Sequence, residues 1–353
     1  MDPTDDAGPR AWRAAALWHH AAFTGLVLAA IVRCGTPRAA ALVERIFARQ
    51  REALFLPGLR KLGLDALPHA DACARYHYLS NDVGGVAVQY LPESDRKAWV
   101  RYVAPRWIWA GTALCAVPDE ITAAMLRGWH AGNGVSLGNP RLGFVCTRTT
   151  TAGDDCLEGY YLEHDRPLAP HERLRFARDE RGPAFDPARA PVLASASWPP
   201  GRLEKARRNY AMAYLRTALP AAIEVLGEDE AVGVVGVAMR QVGLQHYLAA
   251  CEALGLPAQG GAVQFATFLV AMARGQGDEA GVRGTRRRVV VDWPGPRLLA
   301  GDDGTPPRPA IVAMWRGLWD GALGAHDRGL VLRLAGPRRD ARDGLALVVE
   351  PAG

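Results

Sequence analysis

The sequence predicts an α+β protein: two tandem repeats, each a helical layer packed on a small antiparallel sheet. Three observations predict it. Long alanine-rich helical stretches are followed by short valine- and aromatic-rich runs that come as hairpins, not as the alternating β/α pattern of a parallel sheet. The order recurs: Ala124–Trp129 ("AMLRGW") matches Ala313–Leu318 ("AMWRGL") without a gap, 189 residues apart, and two strands separated by a turn follow in both places. Between the halves, residues 166–201 hold seven prolines, many charges and no periodicity, which reads as a linker or strap. The expected boundaries are therefore 11–165 for a first repeat carrying the site, 166–201 for the strap, and 202–353 for a second, scaffold-like repeat.

Each element follows from local pattern. Residues 11–60 read as helix, broken at "CGTP" and "LPGL", with Pro37 suited to the first turn of a second helix. The most apolar N-terminal run, residues 21–32, is too short to span a bilayer, and Asp2, Asp5 and Asp6 precede it, unlike a signal peptide. A buried helix and no membrane partner are expected. "RYHYLSND", Arg75–Asp82, is rich in aromatics and reads as a strand. "VAVQYL" and "AWVRYV" form a hairpin around "PESDRK". "VPDEITAAMLRGWHAG" is a helix that Asp119 can cap. "LGFVCTRTT" and "CLEGYYLEHD" form a second hairpin around "AGDD". From Arg202 come three helical stretches, a strand "RRRVVVDW", a Pro/Gly loop, a helix "AIVAMWRGLWDGALGAH" and a closing hairpin.

Bulk properties narrow the function. With 49% apolar and 22% charged residues the chain is globular, not disordered. The net charge of +5 is spread along it; the densest basic run, "RGTRRRVVV", has no interleaved aromatics and reads as a solvated strand edge, so no nucleic-acid partner is expected. Six cysteines without a C-x-x-C pair indicate a reduced, cytoplasmic protein. "GQGDEA" matches G-x-G-x-x-A but follows a helix, so it is no dinucleotide fingerprint, and no cofactor is expected.

Several residues are candidates for chemistry. Gly134, Ser136 and Gly138 spell G-x-S-x-G, yet a helix precedes and a strand follows, the reverse of a nucleophile elbow. Around that loop lie His130, Asn133, Asn139 and Arg141, with no matching amides in the second half. Read as a strand, Arg75, His77 and Asn81 share one face, suited to binding a carboxylate and moving a proton. On the strand after "GDD", Cys156, Glu158 and Tyr160 share a face, and Glu158 beside Tyr160 suits acid/base work. Cys146 and Cys156, with His164 or His130, lack the paired spacing of a zinc site, and no metal is assigned.

Helices followed by a small antiparallel sheet, ending in a hairpin with Gly153, Asp154, Asp155 and Cys156 before the last strand, resemble the 4-vinyl reductase-type ligand-binding domains. They are also similar to the L-2-amino-thiazoline-4-carboxylic acid hydrolase-like proteins. The turn is one residue shorter than the G-D-x-x-C type of those families, and the second half lacks the cysteine. The resemblance implies a small-molecule pocket between helices and sheet.

The expected function is a small-molecule enzyme, a hydrolase or lyase acting on a small anionic substrate. His77 or His130 would move protons, with Glu158 as the partner carboxylate. Arg75 or Arg141 would hold the anionic group; Asn133 and Asn139 would donate to a developing oxyanion; Asn81 and Tyr160 would line the site. The alternative is a non-catalytic ligand-binding or sensory module. A homodimer is compatible with the scaffold-like second half.

Overall fold

Two helices joined at one glycine open the chain: α1 (Ala7–Cys34) and α2 (Thr36–Leu62), with Gly35 at φ 78° between them. The computed structural model describes residues 7–103, 113–193, 196–299, 308–335 and 344–352. Residues 300–307, within the expected Pro/Gly loop, lie outside these. Helix α1 outruns the apolar stretch the sequence suggests. Its Gly8–Cys34 stretch is long and apolar enough to cross a membrane by length and composition, and half of its most apolar window is buried within the protein. Helix α2 does not break at "LPGL": it runs through Pro57, with Phe55 and Leu59 buried, and stops at Gly63, which adopts φ 68°.

Helix α3 (His69–Val83) is the main correction to the sequence reading, which placed a strand at Arg75–Asp82. Alanines 70, 72 and 74 favour the helix, and Cys73, His77 and Asn81, one turn apart, form a buried stripe. The strand propensity of the tyrosines is overridden by this burial. The expected hairpin follows as β1 (Val88–Ser94) and β2 (Lys97–Val103). Next come α4 (Asp119–Gly128), the single turn α5 (Asn133–Ser136), β3 (Leu142–Arg148) and β4 (Cys156–Glu163). Asp119 does not cap α4; its carboxylate accepts from Thr149 and Thr151 Oγ1, both at 2.7 Å, and from Arg178 Nη2 at 3.0 Å.

The strap contributes β5 (Leu174–Phe176), which pairs parallel with β3, so the sheet order is β1-β2-β4-β3-β5. After it come α6 (Pro200–Leu226), α7 (Glu228–Leu254), α8 (Ala262–Gln276), β6 (Gly281–Gly284), β7 (Val289–Trp293), α9 (Pro309–His326), β8 (Leu330–Ala335) and β9 (Leu345–Pro351). This second sheet is antiparallel throughout, in the order β6-β7-β9-β8. Mixed helices and small, mainly antiparallel sheets make the protein α+β.

The chain forms two compact units, residues 30–203 and residues 1–29 with 204–353. This differs from the expected boundaries. Residues 11–29 group with the second unit, and residues 166–201, expected as a linker or strap, belong to the first, where β5 hydrogen-bonds into its sheet.

Within each unit one long helix crosses another at a glycine. In residues 30–203, Gly128 of α4 lies on α2, where a Cβ would strike Glu44 O and Phe47 Cβ. In the other unit, Gly317 of α9 lies on α7, where a Cβ would strike Gly236 O at 2.5 Å and Met239 Cβ at 3.0 Å. Helix α9 then runs on unbroken past Gly321, and Gly243 of α7 lets it approach, since a Cβ there would strike Leu318 O. At the same position along α2 stands Arg51, and its guanidinium fills the space beside Gly132. An arginine cannot admit a helix as closely as a glycine. The helix of the first unit ends at Gly128 and resumes at Asn133, and the interruption carries Trp129 and His130.

Candidate functional site

Side chains from α3, the α4–α5 break, β2 and β4 close into a buried polar ring in residues 30–203. His77 and His130 stack with ring centroids 4.1 Å apart and planes 18° from parallel. Tyr102 of β2 places its hydroxyl 3.1 Å from His77 Nδ1 and 3.3 Å from His130 Nε2. Tyr161 of β4 places its hydroxyl 2.7 Å from His130 Nδ1. Asn133, at the start of α5, donates from Nδ2 to His77 Nε2 at 3.0 Å and to the Tyr161 oxygen at 2.9 Å. All five side chains are buried.

The chemistry of the groups restricts the proton positions. With neutral imidazoles, each histidine donates through one nitrogen and accepts through the other. Asn133 donates to His77 Nε2, so His77 Nδ1–H donates to Tyr102. His130 then has two choices. It accepts from Tyr102 and donates through Nδ1 to Tyr161, or it accepts from Tyr161 and donates through Nε2 to Tyr102. The two arrangements differ only in the His130 tautomer and in which tyrosine keeps its hydroxyl hydrogen outside the ring. Switching between them passes a proton from Tyr102 to His130 Nε2 and one from His130 Nδ1 to Tyr161, and balances when a proton enters at Tyr102 and another leaves from Tyr161, with no heavy atom of the ring displaced. That is the property of a proton relay.

The shell around the ring is aromatic. Phe144 of β3 lies 4.5 Å from His130, and Trp129 lies 5.9 Å from His77, centroid to centroid. Burial, reinforced by the neighbouring Cys73 and Tyr102, pushes the Tyr161 phenol well above its ordinary value, so it stays protonated. Cys73 sits one turn before His77; burial pushes its thiol far up, and the Asn133 amide only partly offsets this. A thiol held protonated is no nucleophile. Asn133 Oδ1 is buried without a hydrogen-bond partner among the described residues.

Glu158, expected as the carboxylate partner of the histidines, is not among them. Strand alternation explains the separation: Tyr161 and Glu158 lie on opposite faces of β4, and β2 and β3 lie on either side of that strand. Glu158 is fully buried under the strap. Arg101 Nε donates to it at 2.5 Å, Arg148 Nη2 at 3.1 Å, Thr147 Oγ1 at 3.1 Å and the Gly182 backbone N–H at 3.1 Å. Burial alone would raise its pKa, but the Arg148, Gly182 and Arg101 bonds outweigh it and hold the carboxyl below the usual range. With four residues donating to it, Glu158 is an anchor for the strap, not a base.

The remaining candidates disperse. Tyr160 shares the Glu158 face and packs on Trp99 and Val145 beneath Ala177 and Phe185 of the strap. Arg75 pairs with Asp71 at 2.9 Å on its own helix, away from the stripe that carries His77. Asn81 shares that stripe but donates to the His77 carbonyl at 2.7 Å, closing the helix backbone. Asn139 donates to His69 Nδ1 at 3.0 Å and accepts from the Arg141 N–H at 3.0 Å, which makes it a turn residue. Arg141 is exposed. Ser136 ends the one-turn helix before β3, with no strand leading into it. Among the described residues no group of three or more His, Cys, Asp or Glu side chains is placed to hold a metal ion.

Of the nine expected site residues, then, His77, His130 and Asn133 meet. Sequence reasoning missed Tyr102 and Tyr161, although both tyrosines stand at inward-facing positions of strands it had placed. No family model, curated protein or solved structure matches the chain.

Proposed function

We propose that residues 30–203 carry an acid/base site acting on a small molecule, with His77 and His130 as the proton-transfer pair. Tyr102 and Tyr161 link the pair, and Asn133 sets the tautomer of His77. A hydrolase or lyase is the reaction class that such a pair serves without a redox cofactor. The observation that carries the reading is the stacked imidazole pair bridged by one tyrosine hydroxyl. Burying so many polar groups has an energetic cost that apolar side chains would avoid. The acid/base role expected of Glu158 and the anion-holding roles expected of Arg75 and Arg141 form no part of the proposal.

A non-catalytic ligand-binding module is the second reading, favoured by the complete burial of the ring. Turnover separates the two. A panel of small esters, amides and elimination substrates is assayed with the wild-type chain and with His77→Gln and His130→Gln. The catalytic reading expects a loss of about 10²- to 10⁴-fold in kcat for each variant, with folding retained. Wild-type rates in both variants would overturn it.

We further propose that the two units descend from a duplication. Helices α2 and α7 are both 27 residues long, begin after Gly35 and Gly227 at φ 78° and 84°, and end at Gly63 and Gly255, both at φ 68°. Helices α3 and α8 are both 15 residues long. The strand order β1-β2-β4-β3 has the same connectivity as β6-β7-β9-β8. The resemblance to 4-vinyl reductase-type domains and a cytoplasmic location belong to the same proposal.

A further inference from the structure

His326 ends α9, and its imidazole is buried against the connection that leads from α7 to α8. Nε2 lies 3.3 Å from the Gly261 carbonyl oxygen, and Nδ1 lies 3.2 Å from the Ala258 carbonyl oxygen. The Tyr247 hydroxyl of α7 lies 2.6 Å from the same Nδ1. Phe265 of α8 packs on the ring at 5.4 Å between centroids and brings no charge. Behind Tyr247 on α7 stands Cys251, whose thiol shares a hydrogen bond with the tyrosine hydroxyl. Asp327 follows on the chain, and its Oδ1 accepts from the Gly329 backbone N–H at 2.8 Å. No carboxylate pairs with His326 among the described residues.

A carbonyl oxygen can only accept. A neutral imidazole has one N–H and one lone pair. With the proton on Nε2, the lone pair of Nδ1 points at the Ala258 oxygen; with the proton on Nδ1, the lone pair of Nε2 points at the Gly261 oxygen. Only the imidazolium donates to both carbonyls. Tyr247 suits either state. Its hydroxyl donates to a bare Nδ1, and turns its hydrogen to the Cys251 sulfur when Nδ1 carries a proton. The C-terminal end of α9 is also a place where a cation is favoured. His77 and His130 differ in this respect: their nitrogens face hydroxyls and an amide N–H, partners that a neutral ring can satisfy.

We propose that His326 is a pH-sensitive latch whose imidazolium ties the α7–α8 connection, residues 255–261, to the end of α9, and whose neutral form releases one of the two carbonyls. The connection is largely exposed, so a released carbonyl can turn to water. The latch belongs to the unit of residues 1–29 and 204–353 and is independent of the acid/base proposal for residues 30–203.

Nitrogen-15 NMR of the His326 ring in the full chain reads the latch directly. As pH is lowered from about 8 to about 5, the ring is expected to pass from one bonded proton to two. Hydrogen exchange over residues 255–261, corrected for intrinsic rate and measured against that of α8, is expected to slow by about 3- to 10-fold over the same range, the worth of one hydrogen bond. His326→Gln is expected to abolish that slowing. Should the variant fail to fold, the ring signals and exchange of the wild-type chain decide. A ring that holds a single proton throughout, exchange that does not slow in acid, or slowing that persists in His326→Gln overturns the proposal.

Discussion

Where residues 30–203 bury His130 and Asn133, the other unit buries Trp319 and Ala322, the residues 189 positions on in the matched helices. Trp319 stacks on Trp18 at 5.7 Å and lies 5.5 Å from Trp293 and 5.6 Å from Trp315. On the preceding helix, His77 and Cys73 stand where α8 has Val270 and Ala266. Two helices and a small sheet thus close over a hydrogen-bonded ring in one unit and over tryptophans in the other. The tryptophan arrangement needs only volume and shape. The ring needs every partner in place, since losing one leaves a buried polar atom at a cost of about 1–3 kcal/mol. A core does not require that arrangement, as the other unit demonstrates, and this is why the ring is the better place to look for chemistry.

The largest effect that sharpens the contrast concerns what lies outside the ring. In residues 30–203 the strap is clamped by the buried carboxylate of Glu158. Glu158→Ala leaves Arg101 and Arg148 facing each other without a counter-charge, and is expected to destabilise the chain by about 3–5 kcal/mol in urea unfolding. Hydrogen exchange should rise first across the strap, at Gly182 and its neighbours. Because the folded-state pKa of Glu158 is depressed, its contribution is complete at neutral pH and is lost as pH falls through the folded value, below the usual carboxylate range. The difference between variant and wild type should therefore shrink in acid. A variant as stable as wild type at pH 7 would make the strap an ornament of the unit.

The clamp also shows what was legible. The hairpins were, because turn residues and alternation mark them locally. So were His130 and Asn133, because an amide-rich loop in one half alone stood out. Alternation also separated Glu158 and Tyr160 from Tyr161. It did not tell which face meets the helices, because that depends on contacts far apart in sequence, and so Glu158 was joined to histidines that lie across the sheet. His77 was found for the wrong reason: on a strand it would face with Arg75, whereas on α3 it faces with Cys73 and Asn81. Arg51 of α2 lies beside Gly132 in the break that carries His130, and no window of local sequence contains both.

A smaller effect should distinguish the units by pH. His19 of α1 is fully buried, and burial, with Arg208 adding repulsion, lowers it to about 4, although Nδ1 donates to the Ala15 carbonyl at 2.6 Å. The folded state keeps it neutral while the unfolded chain binds a proton below about 6.5. Stability is therefore lost as pH falls from about 6.5 to about 4, by up to about 3 kcal/mol. This window lies above the one expected for Glu158. His19→Gln should flatten the urea midpoint across it; an unchanged slope would mean that another group sets the acid sensitivity.

The smallest effect tests what the units share rather than what divides them. Gly128 and Gly317 make the same crossing, each placing a backbone carbonyl of the partner helix where a Cβ would go. Backbone cannot swing aside as a long side chain can, so Gly128→Ala and Gly317→Ala should each force the helices apart and cost about 1–3 kcal/mol. Alanine is the better helix former by nearly 1 kcal/mol, so the crossing has to outweigh that gain for any loss to appear. The consequences should differ. Separating α2 from α4 moves the turn that holds His130 and Asn133, so Gly128→Ala should also disturb the ring, read as a change in the imidazole NMR signals of His77 and His130. Gly317→Ala should leave those signals alone. Equal losses of stability with unequal effects on the imidazoles would establish one scaffold with one site built on it, whereas unchanged imidazoles in both variants would detach the ring from the helix crossing that is here held to shape it.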